Sequence, residues 1–214
     1  MDNKLLWGVI IALIVGGIVG YLMGAGSGSS GPDTESAQKE IALYKDMRKL
    51  WADHVFWTRE YIISALGGSA SADADAKRLL KNQEDIGAAV ATYYGDTAGD
   101  QLTTLLKEHI TIAVEIVTAA KANDQTKLQD ANKRWKDNAT TIASFLAAAN
   151  PNWSKGDLET MMQTHLSTTE QELDAIFKKD HPRSVTAFDN VFDHMMTMSD
   201  MLSEGIITQF PDKF

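Results

Sequence analysis

The chain of 214 residues contains no cysteine. This excludes disulfide bonds, thiolate metal sites, cysteine nucleophiles and a lipid-modified cysteine near the N-terminus. Only four prolines occur, and alanine, leucine, lysine and acidic residues are common, which favours helix. The net charge is −9, and lysine and arginine form no stripe. A nucleic-acid-binding protein is therefore not expected, because such proteins need a basic face.

The sequence also lacks the motifs of familiar catalytic sites. It has no glycine-rich phosphate loop and no Gly-x-Ser-x-Gly segment that would place a serine nucleophile. It has no Glu-x-x-His pair, which excludes the di-iron carboxylate site of ferritin-like bundles, and no Cys-x-x-Cys-His for covalent haem. We therefore expect a protein that is not an enzyme, and an enzyme with an unrecognised site is the alternative.

The longest apolar segment lies near the N-terminus. Residues 5–25, LLWGVIIALIVGGIVGYLMGA, carry no charge. A helix of this length spans about 30 Å, the thickness of a bilayer core, and predicts a single transmembrane anchor. The alternative is a signal peptide whose cleavage releases a secreted protein, although the run is long for one. Lys4 precedes the segment and Lys39 is the next basic residue, so the N-terminus is expected in the cytoplasm and the C-terminal domain outside.

Small residues recur at every fourth position of this segment, at Gly8, Ala12, Gly16, Gly20 and Gly24. In lipid such a ridge lets two helices approach closely, which predicts a homo-oligomer, although glycine is also simply common in membrane helices. Residues 26–34, GSGSSGPDT, are a flexible Gly/Ser linker. The remaining residues, 35–214, are predicted to form one soluble domain.

The soluble domain has helical periodicity throughout, which predicts an all-α fold of six helices. We predict them over about residues 35–66, 72–94, 100–122, 125–149, 154–179 and 184–209. Glycine, asparagine and proline separate them, and a break is predicted at His181–Pro182. Short connections make neighbouring helices antiparallel, so the helices are expected to close into one bundle or to form two linked layers.

One short pattern recurs along this domain, namely two apolar residues, two spacers and a histidine. It occurs at 50–54, 105–109 and 161–165, and related segments lie at 79–82, 135–138 and 191–194. The offset of about 56 residues predicts three helical-hairpin repeats. A polar residue thus recurs on the apolar stripe of each helix, in the order His54, Asn82, His109, Asn138, His165 and His194.

Two interpretations of this polar row are open. In the first, Asn82, Asn138 and the imidazoles form a hydrogen-bonded layer that fixes the register of the helices. In the second, the row holds a transition metal, zinc or copper, on four imidazoles. The candidate ligands are His54, His109, His165 and His194. Methionines are also frequent in the second half of the chain, where they favour copper(I) or haem, or else adaptable core packing.

The segment His54–Tyr61, HVFWTREY, is the most aromatic part of the chain. Trp57 and Arg59 lie off the apolar stripe of their helix, which makes them candidates for a contact surface with a partner. The alternative is that both pack against a neighbouring helix, with Arg59 paired to a carboxylate.

The stretch LWADHVFWTREYIISAL, followed by LLKNQEDIG and LLKEH, resembles a family of helical, often membrane-anchored proteins of bacteria and archaea. The resemblance covers about residues 50–214, and HVFWTR is its most specific part. This family has no established activity, so the resemblance implies no catalytic role for any residue. We expect a membrane-anchored, extracytoplasmic, non-enzymatic binding or interaction module, and a metal-binding protein is the alternative. The sequence specifies neither a protein partner nor a small molecule.

Overall fold

The computed structural model describes residues 32–214, and all of their regular structure is helical. The helices are α1 (Pro32–Gly67), α2 (Ala72–Tyr94), α3 (Asp96–Ala122), α4 (Gln125–Ala149), α5 (Lys155–Phe177) and α6 (His181–Gln209), with a short 3-10 helix at Pro211–Lys213. The predicted all-α class is confirmed for this part of the chain.

The predicted transmembrane segment 5–25, its ridge of small residues and most of the 26–34 linker lie outside the described residues. Among the helices of residues 32–214, none carries an apolar stretch of the length needed to span a bilayer.

The six helices close into a ring. Each packs against its neighbours in sequence, and α6 returns to pack against α1. Because the connections are short, neighbouring helices run antiparallel, and α1, α3 and α5 point the same way. Of the two arrangements left open by the sequence, the structure therefore has the single bundle.

Most helix ends follow local sequence signals. The side chains of Asp124, Ser154 and Asp180 each accept a hydrogen bond from a backbone N–H in the first turn of α4, α5 and α6. Asn123 ends α3 in the left-handed conformation, with φ 57°. The bounds predicted for α2 and α4 are those observed.

The predicted starts of α1, α3 and α6 were too late. Helix α1 already begins at Pro32. Gly95, with φ 84°, is the single residue between α2 and α3 and is sufficient to reverse the chain. Helix α3 therefore begins at Asp96 rather than near residue 100. Pro182 lies in the first turn of α6, where its missing N–H has no helical partner to lose, so His181 begins this helix.

Two glycines allow α2 and α3 to approach closely. A Cβ atom on Gly87 would lie 2.8 Å from the carbonyl oxygen of Gly99, and one on Gly99 would lie 2.7 Å from the carbonyl oxygen of Gly87. Gly205 in α6 is similar, because a Cβ atom there would lie 1.9 Å from Nε1 of the buried Trp153. Larger residues at these positions would push the helices apart.

A polar network closes one end of the bundle. The hydroxyl of Tyr94 donates to Oε1 of Gln209 at 2.9 Å and accepts a hydrogen bond from Nδ2 of Asn150 at 2.8 Å. Burial raises the pKa of Tyr94 to about 12, so this hydroxyl stays protonated. Asn150 is fully buried, and the network thus joins α2, the α4–α5 connection and α6.

Candidate functional site

Three imidazoles meet in the centre of the bundle. His54 comes from α1, His109 from α3 and His165 from α5, and each side chain is at least 95% buried. The ring centre of His165 lies 5.6 Å from that of His54 and 5.9 Å from that of His109. They share a level because each lies on the apolar stripe of one of the three helices that point the same way. These three residues are called the histidine layer below.

The histidine layer separates two cavities, each of about 30 Å³. The three histidines are the residues that the linings of both cavities share. The first cavity is otherwise apolar, and its wall includes Trp51 and the thioethers of Met47, Met162, Met195 and Met198. The second also contacts Tyr61, Trp135 and Thr169. Each space is large enough for one or two atoms of ligand or a water molecule.

Asn138 fixes the tautomer of His109. Its Nδ2 atom donates to the carbonyl oxygen of Leu105 and to Oε2 of Glu108, both at 3.2 Å, which turns Oδ1 of Asn138 towards His109. This oxygen lies 2.8 Å from Nδ1 of His109 and can only accept, so the imidazole proton is on Nδ1. Nε2 of His109 therefore carries a lone pair, and this buried atom has no hydrogen-bond partner.

His54 has a polar neighbour and His165 has an unpartnered nitrogen. The Nε2 atom of Gln83 lies 3.3 Å from Nδ1 of His54 and also donates to the carbonyl oxygen of Leu79 at 2.9 Å. Nδ1 of His165 is buried without a partner. The hydrogen-bonded layer that the sequence suggested is therefore incomplete, because His109 and His165 each keep one unpaired nitrogen.

Three contacts of one kind surround the layer. Nδ2 of Asn82 donates to the carbonyl oxygen of Leu50 at 3.0 Å, Nδ2 of Asn138 to that of Leu105 at 3.2 Å, and Nε2 of His194 to that of Met161 at 2.9 Å. Each accepting residue precedes a histidine of the layer by one helical turn. Asn82, Asn138 and His194 thus hold equivalent places on α2, α4 and α6.

His194 lies apart from the other predicted metal ligands. Its side chain is half-buried and uses Nε2 on a backbone carbonyl, so three of the four predicted histidines meet and the fourth supports them. In residues 32–214 as they stand, no group of three or more histidine, aspartate and glutamate side chains is placed to hold a metal ion.

The histidines of the layer are neutral at neutral pH. Burial lowers the pKa of His54 to about 3, with a further contribution from His109. Burial likewise lowers the pKa of His109 to about 4 and that of His165 well below its ordinary value. Glu170 is the one carboxylate among the residues lining the two cavities, and no carboxylate contributes to the pKa shift of any of the three histidines.

Arg59, a predicted contact residue, pairs with side chains of its own bundle. It donates to Oε1 of Glu172 at 2.5 Å and to Oγ of Ser184 at 3.0 Å, and its guanidinium lies 5.0 Å from the ring centre of Phe188. Burial raises the pKa of Glu172, and Arg59 opposes this rise. For Arg59 the structure therefore has the alternative arrangement, in which it packs against a neighbouring helix and pairs with a carboxylate.

Trp57, the other predicted contact residue, is half-buried, and Arg78 lies 5.4 Å from its ring centre. It forms an edge-to-face pair with the exposed Phe56, at 5.3 Å between ring centres. One face of Trp57 is thus covered by its own chain.

Gln83 and Glu172 are site residues that the sequence did not reveal. Gln83 follows Asn82 directly, off the repeating position, and both residues are fully buried. Glu172 lies two helical turns after His165 on the same face of α5, a spacing that could have marked it as buried.

The fold and the site together define a six-helix bundle with a buried layer of neutral histidines. Comparison of the chain with family models, with curated proteins and with solved structures found no match. The resemblance around HVFWTR therefore stays a prediction, and the function has to be argued from the site.

Proposed function

We propose that this protein is a membrane-anchored, extracytoplasmic helical bundle that acts as a non-enzymatic binding protein, with its ligand at the histidine layer. The observation that supports this most is the meeting of His54, His109 and His165 between two cavities, with two ring nitrogens unpaired. A buried polar atom without a partner costs about 1–3 kcal/mol. A ligand that bonds to these nitrogens would remove that cost.

The electrostatics of the layer favour binding over catalysis. A general base works best with a pKa near the pH of the reaction. The pKa values of His54 and His109, about 3 and about 4, make both imidazoles weak bases at neutral pH. The layer is also enclosed by apolar side chains, which leaves no open cleft for a substrate of ordinary size. Neutral imidazoles in such a place are suited to donating a lone pair to a ligand.

Three helical-hairpin repeats would account for the layer. The equivalent contacts made by Asn82, Asn138 and His194 support this interpretation, because each lies on the second helix of a hairpin and binds the first. Each hairpin then contributes one histidine, from its first helix. A protein built in this way needs all three hairpins to form one site.

The membrane part of the proposal depends on the sequence. The apolar segment 5–25 would anchor the chain, the ridge from Gly8 to Gly24 would bring two copies together, and the linker would hold the bundle away from the bilayer. Lys4 before the segment favours a bundle on the outer side. The test is protease treatment of intact cells, which we expect to digest the bundle. A bundle protected from external protease, or a chain recovered in the cytosol, would contradict this location.

The binding function can be tested with a set of small probes on the full-length chain in detergent. Zinc, copper(I) and xenon are added in turn, and the imidazole resonances of the layer and the Tm are recorded. We expect at least one probe to shift the resonances of His54, His109 and His165 and to raise the Tm. Exposed His181 is the internal control and should not respond in the same way. A folded protein in which no probe moves the three resonances would contradict the proposal.

A further inference from the structure

The geometry points to copper(I) as the ligand of the histidine layer, bound by His109 and His165 together with a thioether of the adjoining cavity. This inference rests on the binding function proposed above and names the class of ligand. Its starting point is Nε2 of His109 and Nδ1 of His165, the two ring nitrogens that are buried and unpaired. Because Asn138 holds the proton of His109 on Nδ1, the lone pair of Nε2 is available to a metal.

The spacing of the rings suits a shared ion. With metal–nitrogen distances of about 2 Å, imidazoles that share one ion have ring centres about 5–6 Å apart. The ring centres of His109 and His165 are 5.9 Å apart, and those of His54 and His165 are 5.6 Å apart. The rings are thus at the right separation, and what binding requires is rotation of the side chains to turn their nitrogens inward.

The cavities provide room for this rotation. The layer has an unfilled space of about 30 Å³ on each side, so a small turn of a ring moves its edge into empty space. His165 loses no hydrogen bond at Nδ1 when it turns, because none is made there. His109 keeps its bond to Asn138, a contact of the kind that commonly orients a metal-binding imidazole from behind.

The charge of the surroundings favours a monovalent ion. Glu170 is the one carboxylate among the residues that line the cavities, and the layer itself is neutral. The cost of burying an ion grows with the square of its charge, so a divalent ion would cost about four times as much as a monovalent one. Zinc would normally need an anionic ligand to offset that cost, whereas copper(I) needs less compensation.

The first cavity offers ligands that prefer copper(I). Met47, Met162, Met195 and Met198 line it beside the histidines. Thioether sulfur is a soft donor that selects copper(I) over hard ions such as magnesium or calcium. The combination of two imidazoles and a thioether is therefore specific for a soft monovalent ion in a way that three imidazoles alone are not.

The test is a competition for copper(I) on the full-length chain in detergent, reduced and without oxygen, against a chromophoric copper(I) chelator. We expect one copper(I) per chain. His165→Leu should weaken binding at least tenfold, and it should still fold, since it replaces an unpaired polar group by an apolar one. At least one of Met47→Leu, Met162→Leu, Met195→Leu and Met198→Leu should also weaken binding. Met196→Leu should not, because Met196 packs on the core but lines neither cavity.

Several results would overturn the assignment. One is retention of all the copper by the chelator, and another is unchanged affinity in His165→Leu. If none of the four variants of the lining methionines loses more affinity than Met196→Leu, no thioether binds the ion. If zinc or xenon moves the imidazole resonances while copper(I) is not bound, the ligand class is wrong and the binding function stands. If no probe moves them, both proposals fail.

Discussion

The imidazole rings of His109 and His165 lie 5.9 Å apart at an angle of 27°, and each has one buried nitrogen without a hydrogen-bond partner. Two polar rings in such contact would usually be joined by a hydrogen bond or a water molecule. The pair is therefore incompletely hydrogen-bonded, and replacing one ring tests the site with little expected damage to the fold.

The stability of the bundle should depend steeply on pH in the acid range. The pKa of each layer histidine is lower in the folded protein than in the unfolded chain, where it is about 6.5. The unfolded state therefore takes up protons first as the pH falls below about 6.5, and the folded state loses stability down to the folded pKa values, about 4 and about 3 for His109 and His54. Each histidine contributes about 1.4 kcal/mol per pH unit, or about 4 kcal/mol for three.

Urea denaturation at several pH values between neutrality and about pH 4.5 measures this slope. His165→Leu should lower it by about one third, because one titrating group is removed. Met196→Leu is the matched control, since it changes a side chain packed on the core without removing an ionisable group, and it should leave the slope unchanged. A free energy of unfolding that stays constant over this range would show that the histidines are not buried in the neutral form.

Gly87→Ala should destabilise the contact between α2 and α3. The added Cβ atom would lie 2.8 Å from the carbonyl oxygen of Gly99, a backbone atom that cannot move without shifting its helix. We expect a loss of about 1–3 kcal/mol, measured by thermal or urea denaturation. Gly67→Ala is the control, because nothing lies within 4 Å of the new atom, and it should be neutral. Equal effects of the two changes would contradict the close approach.

Tyr94→Phe should lower the free energy of unfolding by breaking the polar network at one end of the bundle. The change removes the hydroxyl that Gln209 and Asn150 both use, and leaves Nδ2 of Asn150 without this partner. The expected cost is about 1–3 kcal/mol in the free energy of unfolding. Tyr93→Phe is a suitable control, because the ring of Tyr93 stacks on Phe214 at 5.8 Å and packing on the ring survives the change. A neutral Tyr94→Phe would show that water replaces the hydroxyl without loss.

Arg59→Met should be more harmful than the loss of an exposed ion pair. It leaves the carboxylate of Glu172, which is fully buried, without its charged partner, at a cost of about 3–5 kcal/mol. The double change Arg59→Met with Glu172→Met should recover most of this loss. Lys77→Met is the comparison, since its pair with Asp73 is exposed and should contribute less than about 1 kcal/mol. Chemical denaturation of these three variants measures the differences, and no recovery in the double variant would contradict the pairing.

The sequence was sufficient for the helices because apolar periodicity and glycine or asparagine breaks are local signals. It failed at the starts of α3 and α6 because one glycine at residue 95 suffices for a reversal, and because Pro182 is as compatible with a first turn as with a break. The recurrence of His54, His109 and His165 indicated a common level in the bundle. Their separation, the turn of His194 towards Met161 and the pairing of Arg59 with Glu172 depend on helix rotation, which sequence spacing leaves free.

The packing of α6 against α1 has a consequence for the order in which the protein forms during synthesis. The two helices that flank α1 are made at different times, since α2 follows it directly and α6 is the last of the six α-helices to be made. Arg48 on α1 can pair with Asp200, to which it donates at 2.6 Å, only after α6 has been made. His54 can contact His165 only after α5 has been made. A nascent chain that stops before α5 therefore has an open groove in which the imidazole of His54 is solvated. Formation of the hairpin of α5 and α6 then excludes water from the centre of the bundle.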